Sequence, residues 1–159
     1  MIIEYDTKYD SDIKELLYQL QEYIMSLDKE GYNLISRKYQ DDYFDKVMQE
    51  INTYHGKILL YQKGNKVIGL VVGCINNGEI DSYDFKSPKR GRISELVVDK
   101  KYRGQNIGKK LLIAMENYLK KLDCKAILIS VFAYNQIARS FYEKNGYHTR
   151  MIEMIKMGN

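Results

Sequence analysis

Between Val97 and Leu112 the chain reads Val-Val-Asp-Lys-Lys-Tyr-Arg-Gly-Gln-Asn-Ile-Gly-Lys-Lys-Leu-Leu. A β-branched strand runs through a basic, small-residue turn directly into an amphipathic helix. That order builds an anion site, because the first N–H groups of a helix have no partner within it and point outward along a favourable dipole. Gly104 and Gly108 put no side chain in the way of a ligand approaching the backbone. Several main-chain donors can then converge on a diphosphate.

Two nucleotide-binding patterns are excluded by spacing. A Walker loop needs glycines five apart followed by Lys and then Ser or Thr. Here Gly104 and Gly108 lie closer together, and Lys109 is followed by Lys110, so no hydroxyl is placed for magnesium. The dinucleotide fingerprint fails as well, because Asn106 and Ile107 break its glycine pattern.

A second run carries information of the same kind. Val131 leads through Tyr134, Asn135, Ala138, Phe141 and Tyr142 to Gly146 and Tyr147, and it reads as strand, capped helix and glycine stop. Asn135 is a good N-cap. Gly146 stands where a left-handed residue ends a helix. Ala138, Phe141 and Tyr142 fall on one helical face.

Together the two runs resemble the signatures of the GNAT N-acetyltransferases. Arg103, Asn106 and Gly108 fall on the positions of Arg/Gln-x-x-Gly-x-Gly/Ala, with Asn106 in place of the usual first glycine. Asn is the non-glycine residue that best tolerates unusual backbone angles. Asn135, Ala138, Phe141, Tyr142, Gly146 and Tyr147 match Asn-x-x-Ala-x-x-Phe-Tyr-x-x-x-Gly-Tyr/Phe. The resemblance covers residues 57–156 well and the first third loosely.

The rest of the pattern is α/β. Tyr9 to Leu27 carries a helical stripe through Ile13, Leu16, Leu17, Leu20, Ile24 and Leu27, with Asp12 and Glu15 predicted as a capping-box pair. Tyr43, Phe44, Val47, Met48 and Ile51 predict a second helix ending near His55 and Gly56. Residues 57–61 and 66–75 form a hairpin around Lys63-Gly64-Asn65. Residues 76–90, with the only proline, Pro88, read as a long mobile loop. Strands are predicted over 93–98, 126–132 and 147–156, and a helix through Ile107, Leu111, Leu112, Met115, Leu119 and Leu122. At 159 residues this is one domain. Acceptor-side helices occupy roughly 9–55 and the cofactor-binding core roughly 57–156. The resemblance implies a central mixed, mostly antiparallel sheet flanked by helices, with its fourth strand splayed and the cofactor-binding helix after it.

Composition narrows the function classes. The net charge of +4 is modest, and the clusters Lys86/Lys89/Arg90/Arg92 and Lys100/Lys101/Arg103/Lys109/Lys110 lack the aromatic interleaving or motif of a nucleic-acid interface. The second cluster is better placed to face phosphates. There is no apolar run of membrane-spanning length and no charged-then-apolar leader. Cys74 and Cys124 are the only cysteines and read as reduced thiols, which sets the expectation of a cytoplasmic protein.

The resemblance assigns the chemistry. It implies transfer of an acetyl group from acetyl-CoA, as co-substrate and without a metal, to a primary amine by direct attack in a ternary complex. The implied cofactor-binding residues are the main chain of Leu96, Val97 and Val98 at the thioester, the loop Arg103, Gly104, Gln105, Asn106, Ile107, Gly108 and Lys109 at the phosphates, Asn135 at the pantetheine arm, and Tyr142. Tyr142 is the expected proton donor to the departing sulfur. Glu95 is the expected base, or an anchor for the acceptor, against the structural alternative of an ion pair. Plain alternation puts Glu95 and Val97 on one face and Ser94, Leu96 and Val98 on the other, and a bulge would shift that parity. Glu79, Asp81 and Asp84 in the loop could act through water. His55 is expected to cap and His148 to lie at the surface.

Tyrosine is abundant, fifteen against four Phe and no Trp. Tyr18, Tyr23, Tyr32, Tyr39 and Tyr43 fall in the helical third expected to wall the acceptor. Asp41 and Asp42 could complement a cationic amine there, but they also occupy a first helical turn, where carboxylates belong. The acceptor, a small molecule or a peptide amine, is left open, and edge strands of the implied fold can pair two copies into a homodimer. A non-catalytic acyl-CoA-binding module is the alternative, keeping the cradle without a working base.

Overall fold

The structure, a computed structural model, describes residues 1–76 and 88–158. The loop carboxylates Glu79, Asp81 and Asp84, with Lys86, lie outside the described residues. In chain order the elements are β1 (Ile2–Glu4), a 3-10 turn (Thr7–Tyr9), α1 (Asp10–Leu27), α2 (Tyr39–Thr53), β2 (Lys57–Lys63), β3 (Lys66–Asn76) and β4 (Arg90–Val98). A second 3-10 turn (Lys100–Tyr102), α3 (Ile107–Lys121), β5 (Ala126–Ile129) and α4 (Gln136–Lys144) follow. The five strands lie in the order β1-β2-β3-β4-β5. All neighbours are antiparallel except β4 and β5. No helix among the described residues is long and apolar enough to cross a membrane.

The sheet buries both faces. On one, Ile13, Leu16 and Leu17 of α1 with Phe44 and Val47 of α2 pack on Ile58, Leu60, Leu70, Val72 and Val97. On the other, Ile107, Leu111, Leu112, Met115 and Leu119 of α3 pack on Leu59, Ile68, Val71 and Ile93. The helical stripes thus supply the apolar area that drives the layers together. Gly73 sets how closely α3 approaches: a Cβ there would lie 2.6 Å from the Met115 sulfur.

The hairpin at Gly64 forms as predicted, pairing Lys63 with Lys66. Two local expectations give way. The capping box does not form, because Asp6 caps a preceding 3-10 turn and α1 begins at Asp10. Asp12 instead accepts from the Val67 amide at 2.9 Å, tying α1 to β3, and Glu15 accepts from Gln19 at 3.1 Å. The strand predicted over 147–156 is absent. Its apolar residues Met151, Ile152, Met154 and Ile155 do not alternate with the period of two that a half-buried strand requires, and they stay exposed.

Candidate active site

The site begins with an irregularity in β4. Val72 pairs with Glu95 and Gly73 with Ile93, so Ser94 is an extra residue on β4, a β-bulge. The bulge breaks the alternation. Ile93 packs on the α3 side, whereas Val97 belongs to the core under α1 and α2. Glu95 and Arg92 both turn toward α2, where they meet Tyr43 and Glu50.

β4 also parts from β5 at this point. Their parallel pairing runs from Arg90–Ala126 to Ile93–Ile129 and stops, so residues beyond Ile93 have β3 on one side and no strand on the other. The Asp99 amide donates to the Ile68 carbonyl of β3. Strand alternation therefore directs the main chains of Leu96 and Val98 to the open side and that of Val97 toward Leu70. The Arg103 Nε–H donates to the Val98 carbonyl at 3.0 Å, which folds the basic turn back over this edge.

The turn has the form the sequence predicts. Gly104 (φ 79°) and Asn106 (φ 59°) are both left-handed, and Asn106 precedes the first residue of α3 without a side-chain cap. Arg103, Gly104, Gln105, Asn106 and Lys109 are exposed and Ile107 is anchored in the core. A Cβ at Gly108 would meet only Phe141 and Val98 at ordinary contact distances of 3.7 and 3.8 Å. Packing alone therefore does not demand glycine there, and glycine leaves the path to the α3 amides open. The donor set suits a diphosphate, and the residues present fit a CoA-type group.

Asn135 and Tyr142 close the arrangement from α4. The Asn135 side chain caps α4, accepting from the Ala138 amide at 3.0 Å, and also accepts from the Tyr23 hydroxyl at 3.2 Å. The Arg103 guanidinium lies 5.6 Å from the Tyr23 ring. Tyr23 thereby links the basic turn to α4. Tyr142 packs edge-on against Phe141 and Tyr147. Burial, reinforced by the Glu95 charge, pushes its hydroxyl up to about 12, so it holds its proton at neutral pH.

Glu95 is only 8% exposed. The Tyr43 hydroxyl donates to its carboxylate in a short hydrogen bond, and Tyr39 stacks on Tyr43 at 5.1 Å and 11°. Burial pushes Glu95 up to about 7, partly offset by the Tyr43 bond. A carboxyl poised there can exchange a proton near neutrality. It lines a cavity of about 200 Å³ between α2 and β4, with Tyr43, Lys46, Glu50, Arg92 and Ser94 among the walls.

The other candidates fall away from this cavity. Asp41 is exposed and pairs with Lys14 at 2.7 Å, and both Asp41 and Asp42 occupy the first turn of α2, the ordinary reading of such carboxylates. Tyr43 alone of the five acceptor-side tyrosines lines it. Tyr32 is exposed. His55 and His148 are exposed, and the His55 carbonyl accepts from Tyr118. Cys74 and Cys124 are buried free thiols, both pushed up by burial.

The residues 18–147 match the model of the acetyltransferase (GNAT) family. The chain belongs to that family. Among GNAT relatives, glucosamine 6-phosphate N-acetyltransferase of Arabidopsis thaliana is 24% identical over 79% of this chain and 83% of its own length. Spermine/spermidine N(1)-acetyltransferase of Bacillus subtilis is 32% identical over 59% of this chain, and the match spans about 60% of that relative. Among solved GNAT structures, the aminoglycoside N-acetyltransferase AAC(6')-Iy in complex with CoA superimposes with a TM-score of 0.74 at 12% identity, over 99% of this chain and 93% of that one.

Sequence reasoning named Tyr43 as a wall residue and missed Lys46, Glu50, Arg92 and Ser94 beside it. A signal existed for Glu50, which lies about two helical turns from Tyr43 on α2 and shares its inward side with Val47.

Proposed function

We propose that the protein transfers an acetyl group from acetyl-CoA to a primary amine by direct attack in a ternary complex. Family membership supports the acyl transfer. The observation that carries the assignment of roles is the buried Glu95, turned by the Ser94 bulge into the α2–β4 cavity beside the point where β4 leaves β5.

Glu95 takes a proton from the acceptor ammonium, directly or through one water, and leaves a neutral amine nucleophile. The amine nitrogen bonds to the thioester carbonyl carbon, and the oxyanion that develops lies against the open-side amides of β4 at Leu96 and Val98. As the carbonyl re-forms and the carbon–sulfur bond breaks, the electron pair stays on sulfur and Tyr142 supplies its proton. The nitrogen sheds its second proton to solvent as the neutral amide forms, and Tyr142 is reprotonated from solvent. A thiol of ordinary acidity needs little such help, so Tyr142 acts as much by positioning the sulfur. The left-handed Gly104–Asn106 turn and the α3 amides hold the diphosphate, with Arg103 and Lys109 as flanking charge.

The test is calorimetric titration with acetyl-CoA, CoA, ATP and NAD, followed by thiol release across a panel of amines. Micromolar binding selective for the CoA compounds, with amine-dependent thiol release that Glu95→Gln abolishes, supports the reading. Selective binding without turnover of any amine would instead favour an acyl-CoA-binding module.

A further inference from the structure

Glu50 and Arg92 form a short ion pair across the wall of the α2–β4 cavity. The Glu50 carboxylate also receives the Cys74 thiol at 3.6 Å. Glu95 is engaged by Tyr43 and, in the proposed reaction, accepts the amine proton. No other carboxylate lines the cavity among the described residues. Two cations do: Arg92, nearly half exposed, and Lys46, which makes no ion pair among the described residues and sits 5.6 Å from the Tyr43 ring. Once Glu95 holds its proton, the described walls sum to one negative and two positive charges.

This balance discriminates between acceptors. A polyamine brings further ammonium groups, and the one other carboxylate is already spent on Arg92. Its additional charges would stand against Lys46 and Arg92, a like-charge arrangement that rejects a ligand. An acceptor with an anionic group meets the reverse situation. Lys46 offers three rotatable donors, and the Arg92 guanidinium has more N–H groups than its contact with Glu50 uses. The Ser94 hydroxyl at the bulge is buried with no partner among the described residues, a polar group that a substrate oxygen would satisfy. A volume of about 200 Å³ is below the roughly 300–1,000 Å³ of pockets that take drug-sized ligands. The site therefore suits a short acceptor.

Resting on the proposed transferase reading, we infer that the acceptor is a small primary amine bearing its own carboxylate or phosphate, with Lys46 and Arg92 holding the anion while Glu95 takes the ammonium proton.

The experiment compares kcat/KM by thiol release in matched pairs: glucosamine 6-phosphate with glucosamine, β-alanine with propylamine, and spermidine as the polycation. At least one anionic member should exceed its neutral partner and spermidine by about tenfold or more, the scale of a charge-assisted contact. The two pairs separate phosphate from carboxylate. Lys46 is exposed on α2, so its substitution leaves the core intact. Lys46→Gln should shrink the ratio within the preferred pair mainly through KM, and Lys46→Glu should move preference toward spermidine. A wild-type preference for spermidine or the neutral amines, or a ratio that survives both substitutions, overturns the inference while leaving the transferase reading standing. Acetyl-CoA binding without thiol release from any amine overturns both.

Discussion

The two halves of the site are made of different material. The cradle at Arg103–Lys109 is built from backbone: two left-handed residues and the start of a helix, exposed to solvent and contiguous in the chain. The α2–β4 cavity is built from side chains, with the Glu95 carboxyl buried and the cavity's contacts spanning 42 and 52 residues of sequence. In the proposed reaction the backbone donors hold the acetyl-CoA and the side-chain walls select the acceptor. A single substitution should therefore abolish function in the cradle through affinity and in the cavity through turnover or choice of substrate.

The sharpest break between the halves is Gly108→Glu. The α3 start has room for a Cβ, so the fold should hold, but a carboxylate at the phosphates should weaken acetyl-CoA binding by about a hundredfold or more. Unchanged calorimetric affinity would refute the cradle.

Glu95→Gln should act in the opposite way, lowering kcat by roughly 10²–10⁴-fold, the usual range for losing a general base, with acetyl-CoA affinity preserved. In the parent protein kcat/KM should rise with pH through about 7 as Glu95 ionises, and the variant should lack that limb. Stability gives a second readout. Glu95 moves from an ordinary 4.5 to about 7 on folding, so the folded state binds the extra proton between those values. Its contribution is fully present below about 4.5 and is lost as pH rises through 7. Glu95→Gln should therefore be more stable than the parent at pH 8, by an unfolding free energy on the order of 3 kcal/mol in denaturant titration, and the gap should close below pH 4.5.

Tyr142→Phe should slow turnover by roughly tenfold, a small effect because the thiolate leaves readily, with CoA binding intact. Unaltered turnover would reduce Tyr142 to a packing residue. The smallest effect should come from Tyr43→Phe. Its hydroxyl bond holds Glu95 down, so removing it should raise the apparent pKa of the rising limb in kcat/KM. A limb that stays in place would uncouple Tyr43 from Glu95.

What could be read along the chain follows the same division. The left-handed Asn106, the Asn135 cap and the Gly146 stop were legible because each is a local preference of a few adjacent residues. The buried stripe of α3 was legible because periodicity encodes burial directly. Asp12 was misread because its carboxylate found the Val67 amide across the fold instead of its own helix. The 147–156 segment was misread because apolar content without alternation does not make a strand. Lys46 and Arg92 gave no signal as ligands, since each is an ordinary surface-helix or strand residue until α2 packs over β4.

Sequence by itself determined the Gly104–Asn106 turn, the helix after it and the family, because those rest on residues that are neighbours in the chain and on backbone geometry that a few side chains permit or forbid. Tertiary structure alone decided which way Glu95 points and what surrounds it. One inserted residue at Ser94 reverses the facing of β4 on either side of it. The charge that results in the cavity depends on pairs that only folding brings together.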